Sequence, residues 1–333
     1  MLSRRCESMA PACKAMKRIV IIHAGGIGDL VQSLPALAAV RRAWPGAAMT
    51  LIGRPERAAL ARMAGVADRC IDLETCGLWR LGLDSAAVPE VLRDADLVMD
   101  FLTKGSPAAW QEYLRRPGGR PRVVAVDPLP PPGCPDKAST WISSQVAAGL
   151  RISAEPGPPE FPLAGAAIEA AKAVMACRSV RGPFVAIHSG SGSARKNWPA
   201  DRFAAVARRL REESRREVVW LAGPAELERG TLPTDAGADP VLANLTLEEA
   251  AGVLALADAY LGNDSGISHI AAAVRRPGGR ATPAVVLFGP TESRVWAPCG
   301  RHVRIVESPD GTMEAIGVEQ VWTEVAAALA ESG

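Results

Sequence analysis

Asp264-Ser265-Gly266-Ile267-Ser268-His269 is the stretch whose reading decides the fold. It follows the apolar run Ala257-Asp258-Ala259-Tyr260-Leu261, which has the character of a short buried strand. It precedes Ile270-Ala271-Ala272-Ala273-Val274, which has the character of a helix. A strand that runs through a Gly-Asn-Asp-Ser-Gly turn into a helix makes an anion site. The free N–H groups of the first turn point outward, and the helix dipole adds partial positive charge. Ser265 can cap this helix, Gly266 lets a ligand approach the backbone, and His269 sits one turn in, at the same mouth. An ordinary capped helix would carry the same residues. Two further glycine-rich turns, Ala24 to Asp29 and Ser189 to Trp198, set this one apart.

Working outward, the chain repeats one unit. Arg18 to His23 is a β-branched run, a buried strand. Ala24-Gly25-Gly26-Ile27-Gly28-Asp29 is the turn after it, and Leu30 to Val40 a helix with Pro35 near its first turns. Ala48 to Gly53 is a second strand, completing a βαβ unit. Helix Pro55 to Ala64 and strands Arg69–Leu73, Leu97–Phe101 and Arg122–Val126 extend an open, mostly parallel sheet. Pro128 to Pro135 is a loop, Ala138 to Leu150 a helix, and the Pro- and Gly-rich stretch Ala154 to Pro162 a boundary. The pattern then restarts. Helix Ala164–Cys177, strand Phe184–His188, helix Ala200–Arg211 and strand Glu217–Ala222 lead to helix Thr246–Leu256 and the opening motif. Strands Pro283–Phe288 and Val303–Val306 follow, with a final helix from Glu314 to Ala330.

The sequence therefore predicts an α/β protein of two consecutive domains whose mostly parallel sheets face each other across a cleft. A disordered extension spans 1–16, an N-terminal domain 17–160 and a C-terminal domain 161–312. A C-terminal helix, 313–333, packs back toward the N-terminal domain. Ligands bind at the carboxyl ends of parallel strands, so the three glycine-rich turns can line one cleft.

The 333 residues hold 38 Lys plus Arg against 36 Asp plus Glu, a balance that gives no field favouring nucleic acid. Seven scattered cysteines without a Cys-x-x-Cys pair suit reduced thiols in a cytoplasmic protein. No signal peptide or membrane-spanning run is present. The four histidines lack metal-ligand spacing; His23 and His188 end strands and could face the cleft, although packed histidines account for them equally simply.

Gly25-Gly26-x-Gly28-Asp29 is not the dinucleotide fingerprint, and no acidic residue ends the second strand, so a nicotinamide cofactor is disfavoured. Asp29, at a helix N-terminus, serves either as a cap and dipole partner or, facing a hydroxyl substrate, as a general base. Lys196, beside a glycine-rich turn, is either a solvated loop lysine or a phosphate ligand sharing negative charge with backbone N–H groups. Asp94-Ala95-Asp96 matches a metal-binding Asp-x-Asp pattern but precedes its strand, at the wrong end of the sheet, and is read as solvated loop.

Together these motifs resemble the ADP-heptose:lipopolysaccharide heptosyltransferases, glycosyltransferase family nine, which implies the GT-B fold of two facing Rossmann-like domains with an interdomain cleft. Gly25 to Asp29 with Ser33-Leu34-Pro35-Ala36-Leu37 looks like the family's N-terminal signature. His188-Ser189-Gly190-Ser191 through Lys196-Asn197-Trp198-Pro199 looks like its phosphate loop. Gly262 to Ala272, with Leu287-Phe288-Gly289-Pro290-Thr291 and Trp296-Ala297-Pro298, looks like its nucleotide-binding core. The likeness runs over about residues 17–330.

The resemblance implies an inverting, metal-independent transfer from an ADP-sugar, with no cofactor, to a lipid-linked saccharide acceptor. It implies transient contact with the cytoplasmic face of the inner membrane. Asp29 takes the role of base, and Lys196 neutralises the departing diphosphate. Gly26, Gly28, Ser189, Gly190, Ser191, Asp264, Ser265, Gly266 and His269 surround the donor, with Glu226 at the ribose and Leu245 at the adenine. Arg54, Arg57 and Arg62 fall in the region that meets an anionic acceptor. The basic segment 275–282 is expected beside the nucleotide site. The competing readings are the same fold with another nucleotide-sugar or a protein acceptor, and a nucleotide-sugar-binding protein without turnover. A dehydrogenase is the weakest of them.

Overall fold

The computed structural model describes residues 16–78, 89–102, 121–154, 157–230, 232, 239–276 and 278–332. The N-terminal extension lies outside them, apart from Met16, which is buried in the core and belongs to the folded domain.

The N-terminal domain contains β1 (Arg18–His23), α1 (Ile27–Ala43), β2 (Ala48–Gly53), α2 (Pro55–Met63), β3 (Arg69–Asp72), α3 (Glu90–Arg93), β4 (Leu97–Asp100), β5 (Arg122–Ala125) and α4 (Ala138–Leu150). Its strands form one sheet in the order β3-β2-β1-β4-β5, and every pair is parallel. The C-terminal domain contains β6 (Phe161–Pro162), α5 (Gly165–Cys177), β7 (Phe184–His188), α6 (Ala200–Glu213), β8 (Glu217–Ala222), α7 (Pro224–Arg229), β9 (Val241–Ala243), α8 (Leu247–Leu256) and β10 (Ala259–Asn263). It continues with α9 (Gly266–Ala273), β11 (Val274–Arg275), β12 (Ala284–Phe288), α10 (Ser293–Trp296), β13 (Val303–Glu307) and α11 (Val318–Ser332). The second sheet runs β13-β12-β10-β7-β8-β9, again parallel, while β6 and β11 form a separate pair.

Strand order explains where a ligand goes. In the first sheet the chain leaves β1 toward β2 on one side and returns to β4 on the other. In the second, β7 lies between β8 and β10. Such reversals open a crevice beyond the carboxyl ends of the strands. The turns after β1, β7 and β10 are the three glycine-rich turns of the sequence.

Helix α1 begins at Ile27, three residues before the expected start. Asp29 therefore sits in its first turn and Pro35 deep in its interior. The helix is buried almost all round from Leu30 to Leu37, as expected of a helix held between two layers. One side packs on its own domain, and its N-terminal end meets α9 of the other. There a Cβ on Gly266 would lie 2.6 Å from Ile27 Cβ, and one on Gly28 3.0 Å from His269 Cδ2. Both glycines are needed for the two helix ends to approach. Lys137 Nζ donates to Ala297 O at 3.4 Å, a further link between the domains.

Three expectations need correction. The C-terminal helix does not pack toward the N-terminal domain. Val321, Val325 and Ala328 of α11 join Val185, Phe203 and Leu287 in a core on the second sheet. The expected single helix is also broken: residues Met313–Ala315 make one 3-10 turn, and α11 starts after Gly317. Asp96 of the Asp-x-Asp pattern is not simply solvated either. It accepts from the N–H groups of Lys17 and Arg18 at 2.7 and 2.9 Å and fastens the start of β1.

Candidate functional site

The three turns converge on a cleft of about 800 Å³ between the domains. Its N-terminal wall is Gly26, Ile27, Gly28, Asp29, Gln32 and Arg57. The facing wall carries Lys196, Asp264, Ser265 and His269 at its centre. At one end Leu221, Leu242, Leu245 and Leu247 make an apolar slot with Glu226 beside it.

Each polar group is placed by its own element. Asp29 Oδ2 accepts from Gly26 N–H at 2.6 Å, reaching back over the first turn as the acidic half of a capping box does. Its Oδ1 is engaged by no protein donor among the described residues, so one carboxylate oxygen remains for a substrate. Ser33 donates to Asp29 O at 2.8 Å and lies 3.4 Å from His23 Nε2, which backs the turn from below. Across the cleft, Ser265 caps α9 by accepting from Ser268 N–H at 3.4 Å. Asn263 holds the phosphate-loop candidate in place: it donates to Ser189 O at 2.8 Å and accepts from Trp198 N–H at 3.1 Å.

Lys196 Nζ donates to Asp264 Oδ2 at 3.0 Å, and Thr291 Oγ1 donates to the same oxygen at 2.8 Å. One oxygen of the Asp264 carboxylate therefore steers both a lysine and a threonine. Lys196, Thr291 and the free N–H groups of the α9 N-terminus together make a donor-rich corner suited to an anion. Glu226 Oε2 accepts from Gly223 N–H at 2.8 Å and lies 3.7 Å from His188 Nε2. His188 holds the Glu226 carboxyl below its ordinary range. His269, almost fully buried between Asp29 and Asp264, is pushed down to about 4 by burial, against the pull of both carboxylates. It is a neutral imidazole at physiological pH. Burial likewise lowers His23 to about 4. Arg57 donates to Ala24 O and Gly25 O, bracing the N-terminal turn, and burial followed by Arg54 lowers its pKa.

The geometry is thus a carboxylate on one domain facing a lysine and a capped helix end on the other. Residues 145–325 match the model of glycosyltransferase family 9 (heptosyltransferase). The chain belongs to this family. It is a glycosyltransferase. The matched stretch takes in most of the C-terminal domain; helix α1, which bears Asp29, lies outside it and is covered by the likeness to solved structures. A family 9 glycosyl transferase from Veillonella parvula is 18% identical with a TM-score of 0.73, over 95% of this chain and 97% of that one. ADP-heptose lipopolysaccharide heptosyltransferase II of E. coli is 19% identical with a TM-score of 0.73, over 95% and 99%. E. coli heptosyltransferase WaaC, solved with ADP, is 18% identical with a TM-score of 0.69, over 93% and 99%. At such identity the likeness is one of fold, the GT-B arrangement of two facing domains. No curated protein matches the sequence.

Within this glycosyltransferase the cleft gathers most of the residues singled out in the sequence. Asp29, Lys196, Gly26, Gly28, Ser191, Glu226, Leu245, Asp264, Ser265, Gly266, His269 and Arg57 all line it. Ser189 and Gly190 stand behind the wall. Ser189 O is held by Asn263, and a Cβ on Gly190 would run into the Glu226 side chain. Arg54 is exposed and off the wall. Arg62 lies 3.9 Å from Glu248 of α8 and pairs across the domains. The described residues of the basic segment 275–282 do not line the cleft: Arg275 pairs with Glu160 at 2.9 Å and Thr282 donates to Leu254 O at 2.9 Å. Residues missed from sequence are Gln32, Thr291, Leu221, Leu242, Leu247 and Trp296, while His188, read as a strand end that could face the cleft, does line it. Only Thr291 and Trp296, within motifs quoted above, carried a signal that could have found them.

Proposed function

We propose that this enzyme transfers a heptose from ADP-heptose to a hydroxyl of a lipopolysaccharide-core acceptor, with inversion and without a metal. The observation that carries the reading is the placement of Asp29 and Lys196 on opposite walls of one cleft. The acceptor oxygen attacks the anomeric carbon from the Asp29 side, and its proton passes to Asp29 Oδ1. The bond from that carbon to the diphosphate breaks on the other side, and ADP departs with the electron pair. Attack and departure on opposite faces invert the anomeric centre. Lys196, Thr291 and the α9 N-terminus stabilise the charge that develops on the diphosphate. Neutral His269, filling the space between Asp29 and Asp264, keeps the two carboxylates apart without adding charge.

The apolar slot of Leu221, Leu242, Leu245 and Leu247 suits a flat base, and buried Glu226 suits the ribose hydroxyls. Among the described residues no group of three or more His, Cys, Asp or Glu stands where it could hold a metal ion. In this reading Lys196 does that work. Arg57, and Arg54 at the rim, meet the anionic acceptor, which is lipid-linked and met at the cytoplasmic face of the inner membrane. Among the described residues no helix is long and apolar enough to cross a membrane.

Calorimetric titration with ADP, UDP, GDP and NAD, with and without EDTA, tests the donor. Tight ADP binding that ignores EDTA is expected, followed by transfer from ADP-heptose to a heptose-deficient lipopolysaccharide core. A preference for UDP or GDP would refute the ADP-sugar assignment. Transfer that requires a divalent cation would refute the role given to Lys196.

A further inference from the structure

Gln32 lies on α1 one turn beyond Asp29, lines the cleft and is only 3% exposed. Its side-chain oxygen Oε1 is buried and accepts no hydrogen bond. Its polar neighbours on the facing wall differ: Asp264 is held by Lys196 and Thr291, and Glu226 by Gly223. A buried amide oxygen without a donor lowers stability, and such groups are rare in folded proteins. Oε1 has no surface open to the cleft in the free protein, so a turn about the soft terminal torsion of the side chain is what brings it to a donor bound there.

We propose that Gln32 reads a hydroxyl of the sugar bound beside Asp29, accepting its O–H at Oε1. The inference rests on the glycosyl-transfer reading and goes beyond it by naming a residue that selects the sugar. The chemistry of the other candidates excludes them. A diphosphate offers acceptors at neutral pH, not donors, and Oε1 cannot accept from it. The base belongs at the apolar slot formed by Leu221, Leu242, Leu245 and Leu247 on the other domain. A hydroxyl is the donor that the reaction brings to the Asp29 face of α1. It can belong to the transferred sugar or to the acceptor sugar; both approach this wall. A site that hydrogen-bonds a substrate hydroxyl rejects analogues that lack or misplace it, because its own polar group is then left unpaired.

Gln32→Met keeps the length of the side chain and removes the amide. Four quantities are measured on native protein and variant: the urea midpoint without ligand, the Kd of ADP, the Kd of ADP-heptose, and the KM for a heptose-deficient lipopolysaccharide core. The variant is expected to be at least as stable as the native protein, since it loses an unpaired buried group. ADP affinity stays the same. Either the ADP-heptose affinity falls about tenfold, the hydroxyl then being on the donor sugar, or the core KM rises about tenfold with donor affinity intact, the hydroxyl then being on the acceptor. Unchanged values on both arms overturn the proposal. So does a variant that is destabilised or fails to fold, because the amide must then be bonded in the free protein. A native protein that binds ADP but whose ADP-heptose and core constants ignore Gln32→Met loses this inference alone. A native protein that does not bind ADP-heptose loses the reading of the cleft and the inference with it.

Discussion

Lys196→Ala should do more than delete a phosphate contact. The Lys196 side chain is 24% and the Asp264 side chain 10% exposed, and their charges are 3.0 Å apart. At an effective dielectric of about 20 such a pair attracts by about 5 kcal/mol before desolvation is subtracted. In the free enzyme that attraction neutralises Asp264. With the lysine gone, Thr291 alone holds the carboxylate, and the diphosphate meets a bare negative charge. Two losses therefore add: a charge-assisted hydrogen bond worth about 1.5–3 kcal/mol, and a new repulsion. The expected result is a fall in ADP affinity of about 100-fold. Asp264→Asn should behave differently. It removes the internal competitor for the ammonium, so ADP affinity should stay within about tenfold of native. Placed on top of Lys196→Ala, it should restore about tenfold by removing the repulsion. Calorimetry on the four proteins of this cycle, at two salt concentrations, checks the reasoning. If the two effects simply multiply, the residues do not act as a pair. If Lys196→Ala binds ADP within about twofold of native, the lysine does not face the diphosphate at all.

Asp29→Asn preserves an acceptor for Gly26 N–H and so should fold normally and bind ADP, while kcat falls about 10²–10⁴-fold; near-native turnover would remove Asp29 from the mechanism. Gly190→Ala drives a Cβ into the Glu226 side chain and should weaken ADP more than a nucleotide-free triphosphate, measured by titration with both; equal losses would place Glu226 away from the ribose. His23 and His269, each lowered to about 4 in the fold, take up protons in the unfolded chain near 6.5. Their contribution to stability is complete above about pH 6.5 and is lost as the pH falls toward 4, by about 3 kcal/mol each. Urea unfolding of native protein and of His269→Gln across this range should show a shallower slope in the variant, and identical slopes would refute the assignment.

Much of this was legible in the sequence. Short apolar runs marked β1, β7 and β10, and glycine turns marked the crevices at their ends. Both signals are local and both arise from burial, so they survive without tertiary context. The partners were not legible. Arg62 and Glu248 are far apart in the chain and meet only because two domains face each other; Lys196 and Asp264 meet because β7 and β10 lie side by side in one sheet. Helix α11 shows the same limit. Its Val321, Val325 and Ala328 stripe announces one buried face, but a stripe does not say which sheet covers it. Helix α1 hid Gln32 for a related reason: a helix buried nearly all round has no polar face against which a buried polar side chain would stand out.

Gly266 shows how far a local reading reaches. In the sequence it lets a ligand come close to the α9 N-terminus. In the structure the atom nearest to its absent Cβ is Ile27 Cβ of the other domain, at 2.6 Å, and the next residue met is Gly28. The small residue serves the approach of one domain to the other first. That approach in turn brings the N-termini of α1 and α9 to the same cleft, where the positive ends of both helix dipoles meet. Asp29 and Lys196 can face each other across that cleft because the two backbones beside them touch. A side chain at 266 would act on catalysis by parting the base from the leaving group, even with every polar contact to the nucleotide intact. Gly28 and Gly266 are thus domain-spacing residues as well as parts of the proposed binding turns, and the spacing role depends on a contact absent from the turn itself.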